Sequence, residues 1–325
     1  MRVLIAVAGL LAALASGAQV SEAEAQTFPS STIKFVVGFP PGGAADILAR
    51  GVAGKMSESL HQSVIVENRA GVAGTVGAAV IAHAAPDGYT IGMGTLSSLA
   101  LNPFMSKSPL YDPRKDFAAI AMLTDLPILM ATPASLRVKS FSDLVDYARK
   151  AGGKFNFSSN GVGSSGHILG EMMKRKFGFQ ASHVPYGGDV PILNALMGDQ
   201  IQLGLLAIPA AAEFIKAGSV NAPAISGRAR SPIIPDVPTV VELGYPDLVS
   251  TTWFSVVAPA GTPKDILTLY NREVNKALAT PEVKLIFKGA GLEPSIMEQP
   301  AFEAFVAAEQ EKWAAEIKTL DLHVD

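Results

Sequence analysis

The chain has 325 residues, room for two α/β lobes or one large one, and its charge is nearly balanced, at 26 Lys+Arg against 29 Asp+Glu. No basic stretch is long enough to follow a nucleic-acid backbone, so nucleic acid is not an expected partner. Hydrophobic residues at 49 % and charged ones at only 17 % suit a compact core and exclude disorder. The absence of cysteine excludes disulfides, thiol nucleophiles, thiolate zinc sites and lipid attachment to an N-terminal cysteine.

The N-terminus reads as an export signal. Met1-Arg2 supplies a positive start, Val3 to Leu14 is an apolar run broken only by Gly9, and Ala23-Glu24-Ala25 has the small-x-small form of a signal-peptidase site. The run is too short to span a bilayer of about 30 Å. Cleavage near Ala25 and a periplasmic mature protein are expected. A buried strand from Thr32 to Val37 then breaks into Gly38-Phe39-Pro40-Pro41-Gly42-Gly43, and helical periodicity follows from Ala44 to about Leu60, with Ile47, Leu48, Val52 and Met56 on one face. A short β-rich run from Ser63 to Glu67 leads to a Gly-rich segment and a second helix to about Ala84. Pro86-Asp87-Gly88 then turns into a strand from Tyr89 to Met93. Such strand–loop–helix alternation is the mark of parallel βαβ units.

The β-rich stretch from Ala118 to Pro133 is the expected first crossing between two lobes. Ser140 is a good N-cap with Asp143 at N3, starting a helix to Lys150. A second alternating series follows: strand Phe155 to Ser158, helix Ser165 to Phe177, strand Ala181 to Val184, helix Val190 to Met197, strand Ile201 to Leu206 and helix Ala210 to Ala217. Thr251 to Ala258 is the expected return crossing, and Pro263 to Ala279 and Ala301 to Ile317 read as amphipathic helices.

Two Gly-rich loops stand at matching places, each after a strand and before a helix: Pro40 to Asp46, and Ser158 to His167. Glycine lets the backbone approach a ligand, and the helix that follows offers free N–H groups and partial positive charge. Such a terminus binds an anion without a cationic side chain. Two of them facing across a cleft suit the two ends of a dicarboxylate, or one carboxylate and one neutral polar group. Each loop alone reads more readily as the tight connection common in α/β folds than as a binding loop. Asp46 reads as a helix cap or loop brace more than as a ligand contact. His167 reads either as a cleft-facing group or as a packed one, and His183 as a strand residue. Thr95, Ser97 and Ser98, after the strand that ends at Met93, lie where α/β sheets bind ligands and also where the next helix needs a cap.

Gly161-Val162-Gly163-Ser164-Ser165-Gly166 fits a G-x-G-x-x-G string, with Asp189 a little over twenty residues on, so a dinucleotide-binding enzyme is the rival reading. Its mid-chain place, the scarcity of nicotinamide cofactors outside the cytoplasm and the lack of a paired acid and base nearby weaken it. There is no G-x-S-x-G elbow, no H-E-x-x-H, and no metal-ligand spacing among His61, His83, His167, His183 and His323. A non-enzymatic binding protein without cofactor or metal is expected.

Several segments resemble one family in order along almost the whole mature chain. They are Phe39 to Asp46, Val66 to Gly71, Pro86 to Thr90, Tyr111-Asp112-Pro113, Gly161 to His167, His183 to Tyr186, Pro235 to Thr239 and Ala258 to Pro263. They are similar to the tripartite tricarboxylate transporter receptors, the Bug or TctC family of bacterial extracytoplasmic solute-binding proteins. The resemblance implies an α/β fold of the two-lobed periplasmic-binding-protein type 2. Each lobe would be a mixed sheet flanked by helices, and two hinge strands would join the lobes and let them close on the ligand. The lobes would be residues 26–124 plus 251–325, and 125–250.

It also implies a small carboxylate ligand delivered to membrane permease subunits by a monomer. Family ligands include citrate, acidic amino acids, nicotinate-like compounds and aromatic dicarboxylates. A sensory subunit presenting ligand to a membrane kinase is the alternative. The ligand site would draw on Phe39, Pro41, Gly42, Gly43, Ala44 and Asp46 in one lobe, with Thr95, Ser97 and Ser98. From the other lobe come Ser159, Asn160, Gly161, Gly163, Ser164, Ser165, His167, Tyr186, Gly187, Gly188 and Asp189. Relatives often carry Lys after the tyrosine, where this chain has Gly187-Gly188-Asp189. That exchange disfavours highly anionic ligands.

Overall fold

The computed structural model describes residues 28–323 apart from Gly291, and the side chain of Val72 also lies outside the description. The expected signal peptide of residues 1–25 falls outside the described residues. The first four elements follow the expected order: β1 (Ile33–Val37), α1 (Ala44–Leu60), β2 (Val64–Asn68) and, after a 3-10 turn, α2 (Thr75–Ala82). Leu48, Val52 and Met56 are fully buried on α1, but Ile47 is 40 % exposed, so it stands outside the stripe expected to include it. The stripe runs through Ala45, Leu48, Ala49, Val52, Ala53 and Met56, one i, i+3/i+4 face, and Ile47 falls beside it.

Next come β3 (Thr90–Thr95), a π turn (Ser97–Leu101) leading to the short α3 (Asn102–Met105), and β4 (Phe117–Pro133). The sheet then continues through α4 (Phe141–Ala151), β5 (Asn156–Ser159), α5 (Ser165–Phe177), β6 (Ser182–Pro185), α6 (Asp189–Met197), β7 (Leu203–Ala207), α7 (Ile208–Lys216) and β8 (Val220–Ile225). The chain closes with β9 (Thr251–Pro259), α8 (Lys264–Ala279), α9 (Pro281–Gly289) and α10 (Gln299–Leu320). At α4 the Ser140 hydroxyl accepts from Asp143 N while the Asp143 carboxylate accepts from Ser140 N, a reciprocal capping box.

Two elements escape the sequence reading. β8 contains Pro223, which argues against a strand. It is tolerated because β8 pairs with only one strand, β4, at the sheet's margin; its other contact is a single bridge from Ile225 to Thr239, two residues past the proline. α9 is short, but its start is conventional: Pro281 opens it and the Thr280 hydroxyl accepts from Val283 N.

Strand order is β2-β1-β3-β9-β4-β7-β5-β6, with β8 on β4. β1 pairs in parallel with β2 and β3, and β5 in parallel with β6 and β7, so there are two βαβ sets. β4 joins them. Its first part, Phe117 to Pro127, pairs antiparallel with β9, whereas Ile128 to Pro133 pairs with β7 and β8. The 17-residue β4 and β9 are therefore the strands through which one set passes into the other. The described residues from 31 onward pack as one compact unit. Behind the crossing strands lies α10, whose Trp313 is fully buried, as is Trp253 of β9. The Glu309 carboxylate of α10 accepts from both indole N–H groups, at 3.3 Å from Trp253 and 2.8 Å from Trp313. Both large side chains thus bury their apolar bodies without leaving a donor unpaired.

Candidate functional site

A cleft of about 1280 Å³ opens between the two βαβ sets. Leu126, Pro127, Thr252 and Phe254 of the crossing strands line it; the β1–β3 set contributes Ala44 and the β5–β7 set contributes Asn160, Ser164, Ser165, Gly166 and Asp189. Ala44 is the first residue of α1, and Ser165 and Gly166 are the first two of α5. The expected pair of helix starts therefore meets one cleft. Of the expected ligand residues, Ala44, Asn160, Ser164, Ser165 and Asp189 line this cleft; Phe39, Pro41, Gly42, Gly43, Asp46, Thr95, Ser97, Ser98, Ser159, Gly161, Gly163, His167, Tyr186, Gly187 and Gly188 are not among its lining.

The loop before α5 is held by its own side chains. Gly161 and Gly163 have φ of 116° and 76°, values that require glycine here. The Ser164 hydroxyl accepts from His167 N as N-cap, donates to Gly161 O at 2.8 Å and stands 3.0 Å from the Ser159 hydroxyl. His167 Nδ1 accepts from Gly163 N at 3.2 Å, so its proton sits on Nε2. Its ring stacks on His183 at 4.1 Å, and His183 Nε2 meets the Ser159 hydroxyl at 2.8 Å. His183 in turn stacks on Phe157 at 4.9 Å. Burial lowers the pKa of both imidazoles; for His183, His167 and Lys174 add to it and bring the value to about 4. His167 is thus a packed residue that braces the loop. With Ser164 as cap, the N–H groups of Ser165 and Gly166 have no intrahelical partner and stand at the positive end of a 13-residue helix.

The loop before α1 has a different brace. The buried Asp46 carboxylate accepts from Gly42 N at 2.9 Å, Asn68 Nδ2 at 2.8 Å and Arg50 Nε at 3.0 Å. Burial alone would raise its pKa, but Arg50, the Gly42 N–H and Asn68 outweigh that and hold it below the ordinary carboxylate range. Asp46 therefore tightens the Gly42–Gly43 turn. The Phe39 ring lies against Gly74, and Phe39 O accepts from Asn68 Nδ2. Gly38, Gly74 and Gly77 meet backbone to backbone: a Cβ on Gly38 would lie 2.6 Å from Gly74 O, and one on Gly77 2.5 Å from the Gly38 Cα. Thr95 and Ser98 are buried and bond each other reciprocally, each hydroxyl accepting the other's N–H at 3.1 Å. They cap the turn after β3, and half-buried Ser97 starts that turn. Pro41, Gly42 and Gly43 are exposed beside Ala44, while Gly187 and Gly188 lead into α6 behind Tyr186, whose N–H bonds Ser159 O.

Asp189 opens α6 in the cleft wall. One carboxylate oxygen, Oδ1, accepts from Asn160 Nδ2 at 2.8 Å and Ala207 N at 3.3 Å. Burial still raises its pKa, against the opposing pull of those two donors. The Ser165 hydroxyl shares a 2.6 Å bond with Thr252, tying the α5 start to the hinge strand β9. Thr252 and Phe254 were not among the sequence candidates, nor were the cleft-lining Lys284, Lys288 and Glu293. The i, i+4 spacing of the two lysines marks one helix face, but only the fold shows what that face meets. Among the described residues no group of three or more His, Asp or Glu side chains is arranged to hold a metal ion.

A family description, the TctC tripartite tricarboxylate transporter family receptor, matches residues 48–322. The BugT protein of Bordetella pertussis is 35 % identical over 316 residues, 97 % of this chain and 96 % of that protein. Rpa4515 of R. palustris, solved with adipate, is 32 % identical with a TM-score of 0.77, over 91 % of this chain and 99 % of that one. MatC from Rhodopseudomonas palustris, solved with bound malate, is 30 % identical with a TM-score of 0.74, over 89 % of this chain and 100 % of that one. These likenesses cover both βαβ sets and the crossing strands, so the fold is the two-lobed periplasmic-binding-protein architecture expected from the sequence.

Proposed function

The chain belongs to the tripartite tricarboxylate transporter receptor family, and from that premise we propose that it is an extracytoplasmic receptor for a small carboxylate. One observation carries the reading: Ser165 and Gly166 at the start of α5 and Ala44 at the start of α1 line one cleft. Two helix starts converging on a concavity supply anion-binding dipoles without a buried cation. Adipate and malate, the ligands of the two related structures, are dicarboxylates of the size such a site accommodates. The proposed lobes are residues 26–124 with 251–325, and 125–250, hinged where β4 leaves β9 for β7. Closure would bring the α1 and α5 starts together on the ligand, and the loaded receptor would pass its cargo to permease subunits in the membrane after export to the periplasm.

Asp189 bears on the cargo. Its Oδ1 is occupied by Asn160 and Ala207, which leaves Oδ2 as the oxygen open to a donor. A carboxylate there repels a highly charged anion and welcomes a hydroxyl or amino group carried beside the carboxylate being bound. The test is calorimetric titration of protein unfolded and refolded to strip any co-purified ligand, with mono-, di- and tricarboxylates. Saturable one-to-one binding of at least one carboxylate, with a raised melting temperature and no turnover, is the expected result. Absence of binding by all three classes at millimolar concentration would overturn the reading.

A further inference from the structure

The cleft lining extends beyond the two helix starts to α9 and the segment that follows it, and that part has a distinct chemistry. Lys284 and Lys288 of α9 both line it, four residues apart on one face. Both are exposed, and neither side chain has an ion-pair or hydrogen-bond partner among the described residues. A lysine in the last turn of a helix complements the dipole there, which accounts for Lys288 but not for Lys284 a turn earlier. The opposite face of α9 accounts for its packing instead: Val283 and Phe287 are fully buried, and Ile286 lies over Gly51 of α1.

The cleft's geography follows from chain order. Ser295 N donates to Leu123 O, so the segment after α9 rests on β4 just before the crossing, and Lys288 and then Lys284 lie successively back along α9 from it. On the facing wall α7 leads from Pro209 and Ala210, beside the end of β7, to Lys216 two turns on, about 10 Å of helix. Lys216 is already paired with Glu213 at 2.8 Å. The lining that joins the helix starts and these lysines in one cleft includes the apolar Leu206, Pro209, Ala210, Ile233, Leu292 and Ile296. Glu293 and Asp189 are the acids of the lining. Leu292 is buried, yet Ile296 is 55 % exposed, an apolar side chain left facing the opening.

We infer that Lys284 and Lys288 form a second, cationic subsite that takes the far anionic group of an elongated dicarboxylate with an apolar body. This rests on the carboxylate reading above and deepens it: one carboxylate sits at the helix starts, the methylene or aromatic body crosses the apolar walls, and the distal carboxylate meets the lysine pair. It also separates the cargo's two charges, which a short tricarboxylate cannot do, and so keeps the second charge away from Asp189.

The experiment is calorimetric titration of the full mature protein and its K284Q/K288Q variant with matched pairs: succinate, adipate, suberate and sebacate against the monoacids of the same chain lengths. Both lysines are exposed, so the variant is expected to melt as the parent does. Wild type should bind one of the longer diacids at least about tenfold tighter than its monoacid, the equivalent of about 1.4 kcal/mol. The double variant should lose that tenfold advantage and keep its monoacid affinity, and K284R/K288R should restore it. Diacids no tighter than monoacids at every length, or a double variant that keeps the advantage, would overturn the subsite while leaving the carboxylate reading intact. Binding of no acid in either series would overturn the subsite, and the carboxylate reading falls with it only when the broader mono-, di- and tricarboxylate panel also fails to bind.

Discussion

Replacing Asp46 tests whether the glycine loop before α1 is held by a single buried carboxylate. Asp46 is 3 % exposed and accepts from three donors: Gly42 N, Asn68 Nδ2 and Arg50. Hydrogen bonds to an ionised group contribute about 1.5–3 kcal/mol each. Arg50 is half exposed, which reduces its share to about 0.2–1 kcal/mol. Asn68 keeps a second acceptor in Phe39 O, so its loss is partial. Asp46→Ala is therefore expected to cost about 3 kcal/mol, or about 5 °C in Tm for a unit of this size.

The more informative change is Asp46→Asn. All three neighbours are donors, so an amide would set its NH₂ against one of them, and the isostere should also lose at least about 1.5 kcal/mol. The pH dependence has a definite sign. The folded pKa lies below the unfolded value of 3.8. The unfolded chain therefore takes up the proton first as pH falls, and the stabilisation present above 3.8 is lost on acidification through the folded pKa. Urea denaturation at neutral and acid pH reads both effects. If Asp46→Asn unfolds within about 0.5 kcal/mol of wild type at pH 7, the brace is unimportant and the reasoning fails.

Three further outcomes follow from the same geometry. Gly170→Ala should destabilise by about 1–3 kcal/mol, because its Cβ would lie 2.1 Å from Cε2 of the buried Phe157 ring; a urea midpoint above wild type would show that the helix-propensity gain of about 1 kcal/mol wins instead. His183, at about 4 when folded against 6.5 when unfolded, should make stability fall as pH drops from 6.5 towards 4, by about 1–3 kcal/mol. His183→Gln should flatten that limb of the stability profile, and an unchanged limb would exonerate the residue. Ser165→Pro should keep the fold, since proline suits the first helical position and Ser164 is already extended at ψ 159°. It removes the N–H, so carboxylate affinity should drop about tenfold or more relative to Ser165→Ala; equal affinities would mean that this backbone donor does not touch the ligand.

How much of this was legible beforehand depends on how local each signal is. α1 and α5 were readable to the residue because glycine turns, an N-cap and an apolar stripe all lie within a few positions of one another. β4 and β9 were readable as crossings because runs that long and apolar have few other uses. β8 was hidden by Pro223, whose tolerance depends on a neighbour nearly a hundred residues earlier. Ile47 was misplaced because periodicity fixes a stripe's direction more sharply than its width.

The site divides in the same way. Its backbone part, Ala44 and Ser164 to Gly166, was visible as loops that end in helix starts. Its supporting part was visible as residue types without roles: Asp46 and His167 are polar groups near an anion site, and only their partners show that both brace glycine loops. The distal wall was not visible at all. Lys284 and Lys288 belong to a helix more than a hundred residues from the α5 loop, and they acquire a meaning only because β9 brings the chain back across the hinge. On the proposed reading, the end that binds the first carboxylate is therefore written in local backbone chemistry, and the end that discriminates among cargoes in side chains that topology alone assembles.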